Sequence, residues 1–277
     1  MDAKEKTILI TGSTDGVGRR VAERLGTEGA TVLIHGRNVA RAESLEAAIG
    51  RAGGRAQVYL ADFTSLVEVG SLADAVMRDH GRIDVLINNA GIGFGRSNTR
   101  EVSRESHELR FAVNYLAGFY LTRLLLPLVI EAKGRIVNVA SVGQQPLDFA
   151  DVMLAHGYDG RRAYRQSKLA QIMFTFDLAK ELEGTGVTVN AVHPATFMDT
   201  AMVRGDGIRP ASSIEEGADA ILNLVTAPEL AGKTGLYFDG LRPAHANAQA
   251  YDAGARARLS ALSLKLVGLE PPRNSQS

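Results

Sequence analysis

Short runs of β-branched and apolar residues alternate along the chain with segments of helical periodicity. Seven such runs predict strands, at 6–11, 31–35, 55–61, 83–87, 134–140, 187–192 and 236–238. Between them apolar residues recur at helical spacing, as in Val17, Val21 and Leu25. This alternation predicts a parallel sheet with helices on both faces. Right-handed crossovers then give a doubly wound, Rossmann-type α/β fold with a mostly parallel, seven-stranded sheet.

One domain accounts for the whole pattern. No Pro- or Ser-rich linker and no shift in composition divides the 277 residues, a length that a single α/β domain can reach. We therefore expect one domain over residues 1–268. An insertion at about 145–162 and a loop at about 195–213 interrupt the alternation, and the polar residues 269–277 are expected to form a disordered tail.

Composition excludes several classes of function. Lys plus Arg total 31 and Asp plus Glu total 31, so the formal net charge is zero, whereas nucleic acids and anionic membranes attract a surplus of positive charge. There is no Cys, and the six His show no metal-ligand spacing, so we expect no disulfide, thiolate nucleophile or metal site. No segment reaches the ~18–20 apolar residues of a membrane span, and we find no signal peptide. We expect a cytoplasmic protein without a nucleic-acid or membrane partner.

Glycine is over-represented, with 29 residues against a usual share of ~7%. The first predicted strand leads into TGSTDGVG at 11–18, and a helical pattern follows. Gly12 permits a tight turn, Gly16 lets the backbone approach a pyrophosphate, and Gly18 lets the helix lie close to the strand. The helix N-terminus adds unpaired N–H groups. We interpret the loop as a dinucleotide-binding turn rather than a structural one, and its other expected cofactor contacts are Ser13, Thr14, Asp15 and Val17.

The end of the second predicted strand bears on which dinucleotide is bound. This position carries an acid for the ribose 2′-hydroxyl of NAD, or an Arg for the 2′-phosphate of NADP. Here the sequence is His35-Gly36-Arg37-Asn38, without a carboxylate. Because Arg clamps a phosphate with parallel donors, Arg37 and Asn38 predict a preference for NADP(H), with NAD(H) also possible. The alternative is that Arg37 is a solvated residue at the start of the second helix.

Tyr164 and Lys168 form a candidate acid–base pair. They are four residues apart at the start of a strong helical pattern and so share one helix face. A phenol titrates near 10, and a neighbouring ammonium lowers that pKa, which suits general acid–base catalysis. Ser141 ends a buried strand, where ligands bind in this architecture. Alone, each residue has an ordinary structural explanation.

Taken together, five motifs resemble the short-chain dehydrogenase/reductase superfamily over about residues 6–240. They are TGSTDGVG at 11–18, NNAG at 88–91, Asn114 in FAVNYLAGF, Ser141 in VNVAS, and YRQSK at 164–168. The resemblance implies a catalytic tetrad of Asn114, Ser141, Tyr164 and Lys168. Tyr164 would pass a proton to the substrate oxygen, which Ser141 would orient. Lys168 would bind the nicotinamide ribose and lower the pKa of Tyr164, and Asn114 would hold a water in the proton relay.

The resemblance also implies further cofactor contacts. Asp62 resembles the acceptor for the adenine amide, with Phe63 beside it, and the remaining residues are Asn89, Ala90, Gly91, Pro194 and Thr196. One segment departs from the family pattern. The family has Gly after the Pro and a Thr five residues beyond it, whereas this chain has Ala195, and Thr200 is six beyond Pro194. We expect the apolar side chains of this loop to cover a substrate rather than pack as core.

A narrower branch, the retinol dehydrogenase-like and protochlorophyllide reductase-like members, looks more similar still. Ser141 and Tyr164 are 23 residues apart, and the 145–162 insertion that separates them resembles the one in that branch, where it would form an active-site wall or a surface embellishment. Relatives in the branch often carry a membrane anchor before the glycine loop, and we expect none here because ten residues precede Thr11. Family habit implies a homo-dimer or homo-tetramer through the helices after residue 98 and around Tyr164.

Three functions follow from these motifs. The first is a short-chain NAD(P)-dependent dehydrogenase/reductase that transfers a hydride between NADP(H) and a carbonyl or alcohol of a hydrophobic small molecule. The second is reduction of an enone C=C bond. The third is a non-catalytic NADP-binding sensor, which the intact tetrad residues argue against.

Overall fold

The computed structural model describes residues 2–95 and 99–270. Its eight strands form one sheet in the order β3-β2-β1-β4-β5-β6-β7-β8. The strands are β1 (Thr7–Ile10), β2 (Thr31–Gly36), β3 (Arg55–Leu60), β4 (Val85–Asn88), β5 (Arg135–Val139), β6 (Thr188–His193), β7 (Leu236–Asp239) and β8 (Arg242–Ala244). The first seven run parallel. The strand order reverses between β1 and β4, so the carboxyl ends of these two strands define the ligand-binding crevice.

The eighth strand is the one departure from the predicted sheet. It pairs antiparallel with β7, from Tyr237–Ala244 to Asp239–Arg242. It has three residues, of which one is Pro243, and Pro is tolerated at a sheet edge because its missing N–H faces away from the ladder. A run this short carries no periodicity, which is why the sequence predicted seven strands. The doubly wound α/β prediction is confirmed.

Helices cover both faces of the sheet. They are α1 (Gly16–Thr27), α2 (Val39–Arg51), α3 (Leu66–Asp79), α4 (Ala117–Glu131), α5 (Gly160–Glu181), α6 (Ala201–Gly205), α7 (Ile214–Thr226) and α8 (Ala253–Val267). One apolar core lies between the sheet and α1, α2 and α7, and the other lies between the sheet and α3, α4, α5 and α8. Side-chain caps fix several starts; Ser213 and Glu216 form a capping box at α7, which satisfies otherwise unpaired N–H groups.

Among the residues that the structure describes, one helix is long and apolar enough to cross a membrane, by length and composition alone. It spans Phe111–Glu131, and its most apolar window is 56% buried inside the protein. The prediction that no segment reaches that length was therefore wrong, because it stopped at the polar interruptions of Asn114 and Arg123. Core helices meet the same criterion, so the helix is weak evidence for a membrane span. Its first part, Phe111–Leu116, is a π-helix, a geometry that often marks functional sites.

Both predicted insertions are held by specific contacts. Residues 145–159 form no helix or strand, and the Gln249 side chain bonds both the N–H (2.7 Å) and the carbonyl (3.1 Å) of Leu147. The 195–213 loop contains α6, and a bridge between Met198 and Ser212 closes its base. The loops are therefore folded onto the domain.

The C-terminal helix covers part of the surface predicted to join subunits. The Tyr115 and Ser263 hydroxyls bond at 2.7 Å, and Arg256 Nε donates to Asp177 of α5 at 2.6 Å. Gly268 ends α8 in the left-handed conformation, and the N–H of Leu269 returns to the Leu264 carbonyl at 2.9 Å. Leu269 is thus part of the fold rather than of a disordered tail. Residues 271–277 of the predicted tail lie outside the described residues.

Candidate active site

The glycine loop joins β1 to α1 and packs directly against the NNAG segment after β4. Gly12 has a φ of 65°, and a Cβ there would lie 2.8 Å from the Cα of Ala90. A Cβ on Gly18 would lie 2.5 Å from the Gly12 carbonyl oxygen. Both positions therefore require glycine. Asn89 closes the junction by donating from Nδ2 to the carbonyls of Thr11 (2.9 Å) and Gly12 (3.1 Å).

The loop has the features that a dinucleotide needs. Asp15 caps α1 by accepting from the Gly16 N–H at 2.7 Å, while the N–H groups of Val17 and Gly18 belong to the first turn, which has no intrahelical acceptors. Those amides, the positive end of the helix and the space kept by the missing glycine side chains fit a pyrophosphate. Ser13 is fully buried and exchanges bonds with the His35 backbone, and the Thr14 side chain lies against Gly36. Ser13 and Thr14 therefore shape the turn.

Sequence reasoning missed the role of His35. Its Nδ1 accepts the Gly12 N–H at 3.1 Å, so the proton of the neutral ring lies on Nε2, which donates to the Ala61 carbonyl at 3.1 Å. Phe63 stacks on the ring with centroids 4.3 Å apart. Burial lowers the pKa of His35 to about 4, because desolvation disfavours the charged ring. The sequence signal for this role was the position of His35 at the carboxyl end of β2, opposite Gly12 of the glycine loop.

The residues predicted to read the adenosine end lie together beyond β2 and β3. Arg37 is largely exposed, and its Nη1 lies 3.7 Å from Asp62 Oδ2. Asn38 caps α2 by accepting from the Arg41 N–H at 2.9 Å. The Arg41 side chain, which sequence reasoning missed, donates to Asp15 at 2.8 Å. Two guanidinium groups thus flank this rim; the available signal was a second Arg four residues after Arg37, in the first turn of α2.

Phe63 and Asp62 follow β3 at the predicted adenosine end. The Phe63 ring is buried against His35, which leaves only its backbone for a cofactor contact. Asp62 is partly exposed and its Oδ1 accepts the Thr64 N–H at 3.0 Å. Asp62 can therefore receive a donor at the adenosine end.

The structure brings Ser141 and Tyr164 together. Ser141 follows β5 and accepts the Gly143 N–H at 3.0 Å, and Tyr164 lies in the first two turns of α5. Burial raises the pKa of Tyr164, and the charge of Asp206 adds to the rise, while the hydrogen bond with Ser141 opposes it. The expectation that Lys168 lowers the pKa of Tyr164 is not met in this arrangement, since desolvation dominates.

Lys168 lies near Tyr164, but its ammonium group forms its hydrogen bonds with other residues. Its Nζ is 5.8 Å from the centre of the Tyr164 ring and donates to the Val139 carbonyl and to Gln171 Oε1, each at 2.9 Å. Burial lowers the pKa of Lys168 to about 7. The Nζ also lies near Gly91, where a Cβ would be 3.6 Å away. Gly91 therefore keeps open the approach from the cofactor loop to the ammonium.

Asn114 lies in the π-helix and ties the cofactor loop to α5. Its Oδ1 accepts the Ile92 N–H at 2.7 Å, and its Nδ2 donates to the Ile92 carbonyl at 3.1 Å and to Ser167 Oγ at 3.0 Å. The side chain thus positions the segment after Gly91. Both Nδ2 protons of Asn114 are used, so a relay water would have to donate to one of its acceptors, Oδ1 or the backbone carbonyl.

The loop after β6 places Pro194, Thr196 and Thr200 differently from one another. Pro194 is buried and Thr196 is exposed, with Thr196 Oγ1 3.0 Å from His193 Nε2. Thr200 caps α6, and its methyl group lies beside Gly16. Phe197 and Met202 are 44% and 40% exposed. These two side chains do not pack as core, in agreement with a loop that covers a substrate.

Asp206 joins the 195–213 loop to the segment that packs against Tyr164. Its Oδ2 accepts the Phe94 N–H at 3.1 Å and its Oδ1 accepts the Gly95 N–H at 2.9 Å. The Phe94 ring meets Tyr164 edge to face, with centroids 5.4 Å apart. No local pattern indicates this contact, because 112 residues separate Asp206 from Phe94.

Comparison with known proteins identifies the family. The short chain dehydrogenase family matches residues 6–208. Retinol dehydrogenase 13 from Homo sapiens is 34% identical over 291 residues, covering 96% of this chain and 86% of the relative. A crystal structure of an uncharacterized Mycobacterium paratuberculosis protein superposes with a TM-score of 0.79 at 27% identity, covering 97% of this chain and 96% of that one.

A second solved structure was determined with a nicotinamide cofactor. It is 3-ketoacyl-(acyl-carrier-protein) reductase from Brucella melitensis, complexed with NADH, with a TM-score of 0.69 at 28% identity, covering 86% of this chain and 97% of that one. The chain described here is an NAD(P)-dependent oxidoreductase that belongs to the short-chain dehydrogenase family, in its retinol dehydrogenase-like branch.

Proposed function

We propose that the protein reduces the carbonyl group of a hydrophobic small molecule, or oxidises the corresponding alcohol, with NADP(H) as its preferred cofactor. The observation that carries the proposal is the placement of Ser141 next to Tyr164, both beside Gly143, with the Lys168 ammonium 5.8 Å from the centre of the Tyr164 ring. When bound, the nicotinamide supplies the hydride to the carbonyl carbon. In that direction, the Tyr164 hydroxyl gives its proton to the carbonyl oxygen while Ser141 donates a hydrogen bond to the same oxygen.

The charge state of Tyr164 supports this direction. Because burial and Asp206 raise the pKa of Tyr164, the hydroxyl stays protonated through neutral pH and can act as the acid. The Lys168 ammonium can bind ribose hydroxyls through a donor that is not used by Val139 or Gln171, since an ammonium has three. The exposed Phe197 and Met202 supply an apolar cover, which favours a hydrophobic substrate.

The first experiment follows NADPH oxidation with a panel of ketones, aldehydes, retinal and enones. We expect turnover of a hydrophobic carbonyl compound. Tyr164→Phe should lower kcat by about 10²–10⁴, the usual contribution of general acid–base catalysis, and should retain NADPH binding. Turnover confined to the C=C bond of enones would contradict carbonyl reduction. NADPH binding with no turnover, unchanged by Tyr164→Phe, would indicate a sensor.

The NADP(H) preference rests on Arg37. Its largely exposed guanidinium is available to a 2′-phosphate. Replacing Arg37 with Ala should raise the KM for NADPH by about tenfold or more, the size of one lost charge-assisted contact, and change the KM for NADH little. Equal changes in both constants would exclude the assignment. The cytoplasmic location, the homo-dimer or homo-tetramer and the absence of a membrane partner stay predictions.

A further inference from the structure

The Lys168 ammonium is buried without a counter-ion. Lys168 is 6% exposed, and no ion pair with a carboxylate involves it within residues 2–95 and 99–270. Two neutral oxygens accept from its Nζ instead, the Val139 carbonyl and Gln171 Oε1, each at 2.9 Å. A buried charge with only neutral partners depends strongly on each of them, because the interior does not replace water.

Gln171 is itself fixed in the core. It is 5% exposed and lies three residues after Lys168, on the same face of α5. Its backbone carbonyl accepts from Thr175 Oγ1 at 2.8 Å, and that hydroxyl accepts from Asn138 Nδ2 of β5 at 2.8 Å. These bonds anchor the turn that carries Gln171 to the strand that carries Val139. One buried hydrogen-bond network therefore fixes the segments that carry both acceptors of the Lys168 ammonium, Gln171 and Val139.

We infer that Gln171 is a positioning residue that keeps the Lys168 ammonium charged and directed at the carboxyl end of β5, where it can serve the cofactor and Tyr164. This inference rests on the proposed function of the Tyr164 site. It adds an amide to the Tyr–Ser–Lys arrangement, one helical turn behind the lysine.

A test of this role is possible because Lys168 titrates in an accessible range. Burial lowers the pKa of Lys168 to about 7, and a hydrogen bond accepted from the charged form raises it relative to the same site without the acceptor. The titratable groups that face Lys168 are Tyr164 on its own helix and His193 at the end of β6. The pKa of Tyr164 is raised above its ordinary value and the pKa of His193 is lowered below its own, so both shifts lead away from neutral pH.

The experiment measures NADPH binding by the change in its fluorescence across pH 5.5–9.5, alongside kcat/KM where a substrate turns over. We expect affinity to fall as Lys168 loses its proton. Gln171→Leu should move that midpoint to lower pH by about one unit, since a hydrogen bond to a charged group contributes about that much. Gln171→Glu places a carboxylate at the same distance and should move the midpoint to higher pH.

Gln166→Leu is the matched control. Gln166 is buried on the same helix, but its Nε2 donates to the Pro146 carbonyl at 2.9 Å, away from Lys168. It should lower thermal stability and leave the midpoint at the wild-type pH. A purely structural Gln171 would behave in the same way, and coincident midpoints for Gln171→Leu, Gln171→Glu and wild type would overturn the inference.

The proposed function and this inference fail differently. If the wild-type protein binds NADPH but reduces no carbonyl compound, the proposed function fails, while the binding midpoints still judge Gln171. If Gln171→Leu does not fold, Gln171→Glu alone decides, because only a raised midpoint supports the inference.

Discussion

The glycine loop and the 195–213 loop meet over the same strand ends but are held in different ways. The glycine loop is fixed by close backbone packing and by neighbours such as Asn89, which bonds two of its carbonyls. The 195–213 loop is closed largely by bonds within itself, such as the Met198–Ser212 bridge, and Asp206 joins it to the segment after β4 by accepting from Phe94 and Gly95. Its Phe197 also has a φ of 49°, a conformation that costs energy in a residue other than glycine.

This difference separates a cofactor half fixed by backbone packing from a substrate half that Asp206 joins to it through side-chain bonds. Backbone packing tolerates no added atom, so substitutions there should act on cofactor binding and on folding. A contact made by a side chain can be removed without disturbing the sheet. Substitutions in the 195–213 loop should therefore change the KM for the substrate and not the affinity for the cofactor.

The largest effect is expected in the cofactor half, at Gly18. A Cβ there would meet the Gly12 carbonyl oxygen at 2.5 Å and the Asn89 amide, and that amide is itself fixed by its bonds to the Thr11 and Gly12 carbonyls. We expect Gly18→Ala to weaken NADPH binding by about 3 kcal/mol, the upper range for overpacking, measured by fluorescence titration. Gly50→Ala is the control, because a Cβ on Gly50 has no neighbour within 4 Å. Unchanged affinity in Gly18→Ala would show that the loop is not rigid.

A smaller effect is expected at His35, which supports the same loop from below. His35→Leu removes the acceptor of the partly buried Gly12 N–H and should lower the free energy of unfolding at pH 7.5 by about 1–2 kcal/mol, the cost of leaving such a donor unsatisfied. Urea unfolding measures this change. His156→Leu, at a side chain that is 93% exposed, should change stability little.

The same variant has a pH signature. Burial lowers the pKa of His35 to about 4, below its ordinary value near 6.5, so the unfolded chain takes up a proton first as the pH falls. The contribution of His35 is therefore complete above pH 6.5 and is lost between pH 6.5 and 4. The stability difference between wild type and His35→Leu should shrink across that window. A constant difference would contradict a neutral, buried His35.

The sequence signals for the glycine loop and for the fold are local, which is why they could be interpreted without a structure. The glycine spacing and the strand–helix alternation both lie within a few residues of the positions they predict. The partners that complete the site are not local: Asp206 reaches a segment 112 residues away. His35 and Gln171 act through side-chain directions that depend on strand register and helix packing. A single sequence indicates residue types at these positions but not which distant groups they contact.

Asp206 gives the smallest predicted effect and the sharpest comparison. Asp206→Ala removes two acceptors and frees α6 from Phe94 and Gly95. We expect the KM for the carbonyl substrate to rise about tenfold, the equivalent of one to two hydrogen bonds, with NADPH affinity unchanged. Because the Asp206 charge raises the pKa of Tyr164, the alkaline limb of kcat should also move to lower pH in the variant.

The control for Asp206 removes a different carboxylate from the same loop. Asp199 pairs with Arg204 at an exposed position and does not reach the cofactor half, and exposed ion pairs contribute little. Asp199→Ala should therefore change the KM for the carbonyl substrate and the alkaline limb of kcat much less than Asp206→Ala does. If Asp206→Ala instead weakened NADPH binding by as large a factor as it raised the KM for the carbonyl substrate, the two loops would form one rigid unit. The distinction between the cofactor half and the substrate half would then fail.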